Sequence, residues 1–141
     1  MKKILALMLI LLVFVAACGK KEVKKPTADS LLATEAFALA EKVRAAYVAR
    51  DMSALRANTT PEGYKAIAES IKPFDSVTLE FKPLLFDIRD SKMTLYVSWT
   101  GTWTKHGQKA EERGLVTLGL KGSPLKVDDV QRASPFRYPE E

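Results

Sequence analysis

His106 is the chain's one histidine and Cys18 its one cysteine, so neither a thiolate metal cluster nor an intramolecular disulfide can form. His106 stands beside Gly107 between two runs of alternating residues. That is the setting of a turn, where an imidazole is solvated and poorly placed to move a substrate proton. No carboxylates recur at ligand spacing, so no metal and no cofactor is expected. Among the acids, Glu112 shares strand parity with Val116 and Leu118 and is the candidate to point into an interior. Asp87 has the opposite parity to Phe86 and Ile88, and Asp128-Asp129 puts one carboxylate on each strand face. The competing reading for each is a solvated or salt-bridged surface acid. Trp99 and Trp103, four apart on one strand, share a side. Gly101 between them leaves a gap where a ligand or another backbone could approach. With Tyr47 and Tyr64 they could line an aromatic pocket, or they simply fill a core.

The elements that must position these residues are legible from periodicity. Leu32, Ala36, Leu39, Val43 and Tyr47 recur at helical spacing and predict a helix over 28–50. Asp51 or Ser53 can cap a short second helix through Asn58. Thr60-Pro61 reads as N-cap and first residue of a third, with Tyr64, Ile67 and Ile71 on one face and Pro73 as its stop. The period then changes to two. Val77, Leu79 and Phe81 alternate with polar residues, Pro83 interrupts at a bulge or edge, and 84–88 resumes. After an Asp90-Ser91-Lys92 turn, Met93, Leu95, Val97, Trp99, Gly101 and Trp103 form the inward side of the clearest strand. Residues 110–120 and 125–131 supply two more strands, around Gly122-Ser123-Pro124. Residues 135–141 read as a loose tail. Helices first and antiparallel strands afterwards define an α+β fold with one sheet face on a core and one wet.

The N-terminus carries the most specific signal. Lys2 and Lys3 precede an apolar run over 4–15, which as a helix reaches only about 18 Å against a hydrocarbon core of about 30 Å. It reads as a signal-peptide h-region and not as a span. Val15-Ala16-Ala17-Cys18 resembles the lipobox of bacterial lipoproteins. That resemblance implies cleavage before Cys18, diacylglycerol on its thiol and, with Gly19 and not Asp following, an outer-membrane address facing the periplasm. Ordinary cleavage after Ala17 is the alternative, and it would strand an unpaired cysteine in an oxidising compartment. The chain thus divides into a signal peptide (1–17), a lipidated cysteine with a basic tether (18–26), one α+β domain (27–134) and the tail (135–141).

The net charge of +5 suggests nucleic acid until it is located. Two lysines leave with the signal, and Lys20, Lys21, Lys24 and Lys25 sit in the tether against Glu22. From Pro26 onward 16 basic residues face 16 acidic ones. The folded part has no basic excess, so no nucleic-acid partner is expected. The tether lysines suit anionic head groups, at about 1 kcal/mol each, or merely a solvated spacer.

Residues Tyr47-Val48-Ala49-Arg50-Asp51-Met52-Ser53-Ala54-Leu55, the order of three helices and four long strands, and the ending Leu125-Lys126-Val127-Asp128-Asp129-Val130 together resemble the nuclear-transport-factor-2-like superfamily. That superfamily has the cone-shaped fold of ketosteroid isomerases and polyketide cyclases. The resemblance implies three N-terminal helices on a curved four-stranded sheet, and the outward row Thr94, Tyr96, Ser98, Thr100, Thr102 and Thr104 could pair two copies in a homodimer, as in dimeric relatives, or simply reflect strand propensity. Its catalytic members use an Asp or His in the cone. The leading expectation is a non-catalytic lipid-anchored domain, held to the membrane by acyl chains on Cys18, that binds a small molecule or an envelope protein. The alternative is an envelope isomerase or dehydratase using Glu112 or another cone-facing acid.

Overall fold

The computed structural model describes residues 22–140. The signal, Cys18 and the first tether residues therefore lie outside the described residues. Among those described, no helix is long and apolar enough to cross a membrane.

Helix α1 spans Ala28–Ala49. The Thr27 side chain accepts from the Ser30 N–H, one of the amides that a helix start leaves unpaired. The helix ends at Arg50, which adopts a left-handed conformation (φ 56°) and turns the chain. Asp51 caps α2 (Met52–Ala57), its carboxylate accepting from Ala54 N–H at 2.9 Å. Thr60 caps α3 (Pro61–Ala68), with Pro61 at the first turn, where its missing N–H costs nothing. Helix α3 stops at Ala68, short of the expected Pro73: Glu69 and Ser70 close it with N–H bonds back to Lys65 and Ile67.

Four strands follow in the order β1-β2-β3-β4, all antiparallel: β1 (Ser76–Arg89), β2 (Lys92–Lys105), β3 (Gln108–Lys121) and β4 (Lys126–Arg132). Both long hairpins turn on two residues with positive φ. These are Asp90 (48°) and Ser91 (63°) in the first, and His106 (51°) and Gly107 (75°) in the second. That pairing of conformations matches the twist of the flanking strands. Pro83 does not break β1. The register with β2 shifts between Pro83 and Leu85, leaving Leu84 as the extra residue of a bulge.

Helix α1 lies across the inward face. At one pole the Glu35 carboxylate accepts from Leu125 N–H at 2.7 Å, just before β4. At the other, the Arg50 guanidinium donates to the carbonyls of Phe74 and Asp75, each at 2.6 Å, just before β1. Between them Ala36, Leu39, Ala40, Val43 and Ala46 are buried against Leu79, Leu95, Val97, Val116 and Leu118. The alanines let the helix axis approach the sheet. Helix α3 is clamped onto β4 more tightly. Thr60 N–H donates to the Val127 carbonyl at 2.9 Å, and the Thr60 hydroxyl donates to Asp128 at 2.8 Å. Asp128 also receives Lys121 at 2.6 Å, and these bonds, Lys121 first, hold its carboxyl below the usual range.

Residues 135–141, expected to be a loose tail, are corrected by the structure. Pro135–Arg137 form a 3₁₀ turn whose Pro135 and Phe136 are fully buried, and Pro139 is buried behind them. Phe136 belongs to the same core as the helices and strands, so the domain runs on through the tail. Burial of one phenylalanine side chain stabilises by about 1.5–3 kcal/mol. It offsets part of the about 1–2 kcal/mol per residue that ordering the segment costs, and the buried prolines, the Tyr138 ring contacts and the Tyr47–Tyr138 bond add to it.

The α3–β4 clamp makes a direct prediction. A Cβ at Gly63 would lie 2.1 Å from the Val127 carbonyl oxygen, a backbone atom that cannot swing away. Gly63→Ala is expected to cost about 1–3 kcal/mol and to lower the melting temperature by several degrees in a thermal scan. An unchanged melting temperature would contradict this packing.

Candidate functional site

The place where a cone-shaped α+β fold would hold a ligand is the space between α1 and the sheet, toward the pole where β1 begins. Here that space is filled by aromatic rings of this chain. Tyr47 comes from α1, Phe74 from the segment before β1, Trp99 and Trp103 from β2, and Phe136 and Tyr138 from the tail. The Trp99 and Trp103 rings meet edge to face with centroids 6.0 Å apart. Tyr138 packs on both, at 5.2 and 5.6 Å. Phe136 meets Tyr47 at 5.3 Å, and Phe74 meets Tyr47 at 5.5 Å. Such pairs add about 0.5–1.5 kcal/mol each beyond area burial.

The buried side-chain polar atoms of this cluster are satisfied internally. Trp103 Nε1–H donates to the Tyr47 hydroxyl at 2.8 Å, and that hydroxyl donates to the Tyr138 carbonyl at 3.1 Å. Trp99 Nε1–H donates to the Ala133 carbonyl at 2.8 Å. Both indoles are thus capped, Trp103 by the Tyr47 side chain and Trp99 by the Ala133 carbonyl just before the tail. Burial pushes the Tyr47 phenol up to about 12, offset in part by the Trp103 bond and the nearby Arg50. It is protonated at neutral pH, and its proton is given to the Tyr138 carbonyl.

Two glycines make room for the indoles. A Cβ at Gly101 would lie 2.3 Å from the Trp103 ring, so the expected gap beside Gly101 is occupied by Trp103 itself. A Cβ at Gly114 would lie 2.8 Å from the Trp99 ring.

The residues expected to line a pocket separate into two sets. Tyr47, Trp99 and Trp103 come together, as a packed cluster without a chamber. Tyr64 is half-buried on α3, with the Arg56 guanidinium over its ring at 4.4 Å and no ring contact to the others. Glu112 lies opposite Gly101 in the β2–β3 ladder, but Trp103 occupies the space in front of that glycine. Glu112 is exposed and lines an open groove of about 600 Å³ with Thr78, Glu80, Thr100, Thr102 and Arg113. His106 is exposed in its hairpin turn, its backbone N–H held by the Asp75 carboxylate at 2.7 Å. Asp87 is paired with Arg89 at 2.9 Å. Among the described residues, no group of three or more His, Cys, Asp or Glu is arranged to hold a metal ion.

Sequence reasoning missed Phe136 and Tyr138, the residues that close the cluster. The signal available was local composition: Pro135-Phe136 and Tyr138-Pro139 are more apolar than a solvated tail requires.

Comparison with protein-family models, with curated proteins and with solved structures found no match to this chain. The residues and their geometry carry the assignment alone.

Two outcomes test the cluster. Removal of residues 135–141 is expected to expose both indoles, shifting tryptophan emission to the red and destabilising the domain by at least the 3–5 kcal/mol of a buried Phe→Ala change. Unchanged emission would contradict the packing. Tyr47→Phe leaves Trp103 Nε1–H without its acceptor and is expected to cost about 1–3 kcal/mol at neutral pH. The phenol's folded pKa lies above its unfolded value, so its contribution is complete below pH ~10 and lost as pH rises toward 12. The stability gap between wild type and Tyr47→Phe should therefore narrow over that window in denaturant titrations. A gap that stays constant would contradict it.

Proposed function

We propose that this chain is a lipid-anchored lipoprotein of the bacterial envelope, facing the periplasm. In this reading its nuclear-transport-factor-2-like domain is a non-catalytic binding module that acts through its surface. The observation that carries the reading is the filled interior. Six aromatic side chains occupy the volume where an enclosed small ligand would sit, and the Tyr47 hydroxyl and both indole N–H groups are bonded to one another or to backbone. The order of three short-linked helices before a meander of strands supports the superfamily reading. So does the parallel bridge of Thr59 to Val127, which ties the α2–α3 link to the last strand. Val15-Ala16-Ala17-Cys18 supports the anchor. An isomerase or dehydratase would need a carboxylate in the interior, and Glu112, the candidate for that role, faces solvent. A protein or lipid surface is therefore favoured over an enclosed small molecule as the thing bound.

The test is fractionation of bacteria expressing the full chain, with mass spectrometry of the N-terminal peptide. Wild type is expected in the membrane fraction with a diacylglyceryl mass on Cys18, and Cys18→Ser in the soluble fraction. Wild type recovered soluble, with an unmodified thiol, would overturn the reading.

A further inference from the structure

The outer face of the sheet carries a small cavity. Along β3, Thr117 and Gly119 alternate with Val116 and Leu118, which lie in the core, so Thr117 and Gly119 face outward. The ladder sets their neighbours. Thr117 lies opposite Tyr96 of β2 and Gln131 of β4, and Gly119 lies opposite Thr94 and Asp129. Asp87 of β1 is opposite Thr94 on its other side. These residues, with Arg89 and Lys92 from the β1–β2 hairpin, line an open cavity of about 220 Å³. At ~30 Å³ per water that is the room of about seven waters, enough for one pyranose ring.

Gly119 leaves the floor of the cavity open. The nearest atoms that a Cβ there would meet all belong to Asp129, the closest at 3.2 Å. Thr117 is only 8% exposed, and among the described residues its hydroxyl oxygen is buried without a hydrogen-bond partner. A hydroxyl left so is costly, and in a native protein it calls for a partner that the chain itself does not supply. A valine would fill the same space with no polar atom to satisfy.

The lining selects the chemistry of that partner. Asp87 and Asp129 are balanced by Arg89 and Lys92, so net charge attracts neither an anion nor a cation. The Asp87 carboxylate receives Arg89 at 2.9 Å and the Asp129 carboxylate receives the Gln131 amide at 2.5 Å, which leaves each a second oxygen to accept with. The hydroxyls of Thr94, Tyr96 and Thr117 both donate and accept. A ligand whose own groups are donor and acceptor at once pairs with all of these without burying a charge, and a neutral saccharide is such a ligand. The half-buried Tyr96 ring gives an apolar wall for the C–H face of a sugar. Along β2 the outer face continues as open grooves past Ser98 and Thr100 to Thr102, so further units of a glycan chain have room beyond the cavity.

We propose that the cavity over Gly119 binds one unit of a neutral saccharide, and that a sugar hydroxyl supplies the bond Thr117 lacks. This rests on the reading of a module that acts through its surface, and names what that surface takes. The sugar reaches the Thr117 oxygen by displacing the exposed Gln131 side chain, and the Asp129 oxygen that Gln131 now occupies becomes an acceptor for a second sugar hydroxyl.

The experiment is an NMR titration of the isotope-labelled mature chain in a detergent that carries no sugar. The probes are glucose, galactose, mannose and N-acetylglucosamine, the tetramers of glucose and of N-acetylglucosamine, and inorganic phosphate as the charged control. At least one sugar is expected to shift the amides of Thr94, Tyr96, Thr117, Gly119 and Gln131 saturably, and equally at low and high salt. Shifts that extend to Ser98 and Thr100 with a tetramer identify a glycan chain as the source, and shifts confined to the cavity identify a free sugar. Thr117→Val is expected to weaken binding about tenfold, the worth of one hydrogen bond, with a melting temperature unchanged or higher because an unpaired polar atom is gone. Gly119→Val, which fills the floor, is expected to abolish the shifts. Thr117→Val that binds as well as wild type, or that melts lower, overturns the proposal. So do shifts that vanish at high salt or that phosphate reproduces, which mark an ion site. No saturable shift with any sugar overturns the saccharide site and leaves the surface-acting module standing. Saturable shifts at the Trp99 and Trp103 indoles overturn both.

Discussion

The Tyr47 hydroxyl receives the Trp103 indole N–H and gives its own proton to the Tyr138 carbonyl. One oxygen thereby joins the long helix, the second strand and the C-terminal tail, segments that are far apart in sequence. A phenol and an indole could not be buried together otherwise, because an unbonded polar atom in such a place costs about 1–3 kcal/mol. Because the acceptor in the tail is a backbone carbonyl, it is the path of the tail that must be kept, and Phe136 keeps it by burying its ring between Tyr47 and Phe81. The polar bond and the apolar plug depend on each other.

From that constraint follows the kind of surface the domain can use. An interior filled by its own rings leaves the outer sheet face, the grooves along the strands and the edge of β1 for contact with anything else. The small residues of the fold serve this filling. Gly101 and Gly114 clear space for the two indoles, and Gly63 lets α3 lie against the backbone of β4. Where a related architecture with larger clearances could enclose a ligand, here each clearance is taken by a neighbouring side chain or carbonyl.

Much of the fold was legible in the sequence, for reasons that can be named. Asp51 and Thr60 are N-cap types directly before helical periodicity, and both cap helices. The alternation from Met93 to Trp103 is long enough to leave only one way of burying β2. Pro83 was legible as a bulge or edge feature, and it is both. The end of α3 and the tail were not legible. Pro73 signals where a helix must have ended, not where it first runs out of packing. The tail carries no period because each of its apolar residues meets a different part of the core. Of the site residues, Tyr47, Trp99 and Trp103 meet because helix face and strand parity suffice to bring them together, but they meet as packed core and not as the lining of a pocket. Parity failed for Glu112, since it says which way a side chain would lean but not whether a ring on the neighbouring strand already fills the space.

From Pro26 onward the 16 basic and 16 acidic residues balance, and the rings of Tyr47, Trp99, Trp103 and Tyr138 fill the space between α1 and the sheet. The aromatic interior is then structural, and its integrity is what an account of surface binding needs. The most direct measurement is hydrogen exchange at the Trp99 and Trp103 indole N–H groups of the full chain, followed by NMR at neutral pH. If the tail closes the interior, both exchange only through global unfolding and slow together with the most protected core amides. Exchange within minutes while those amides stay protected would show that the tail lifts and a chamber opens, contradicting a domain that binds only through its surface.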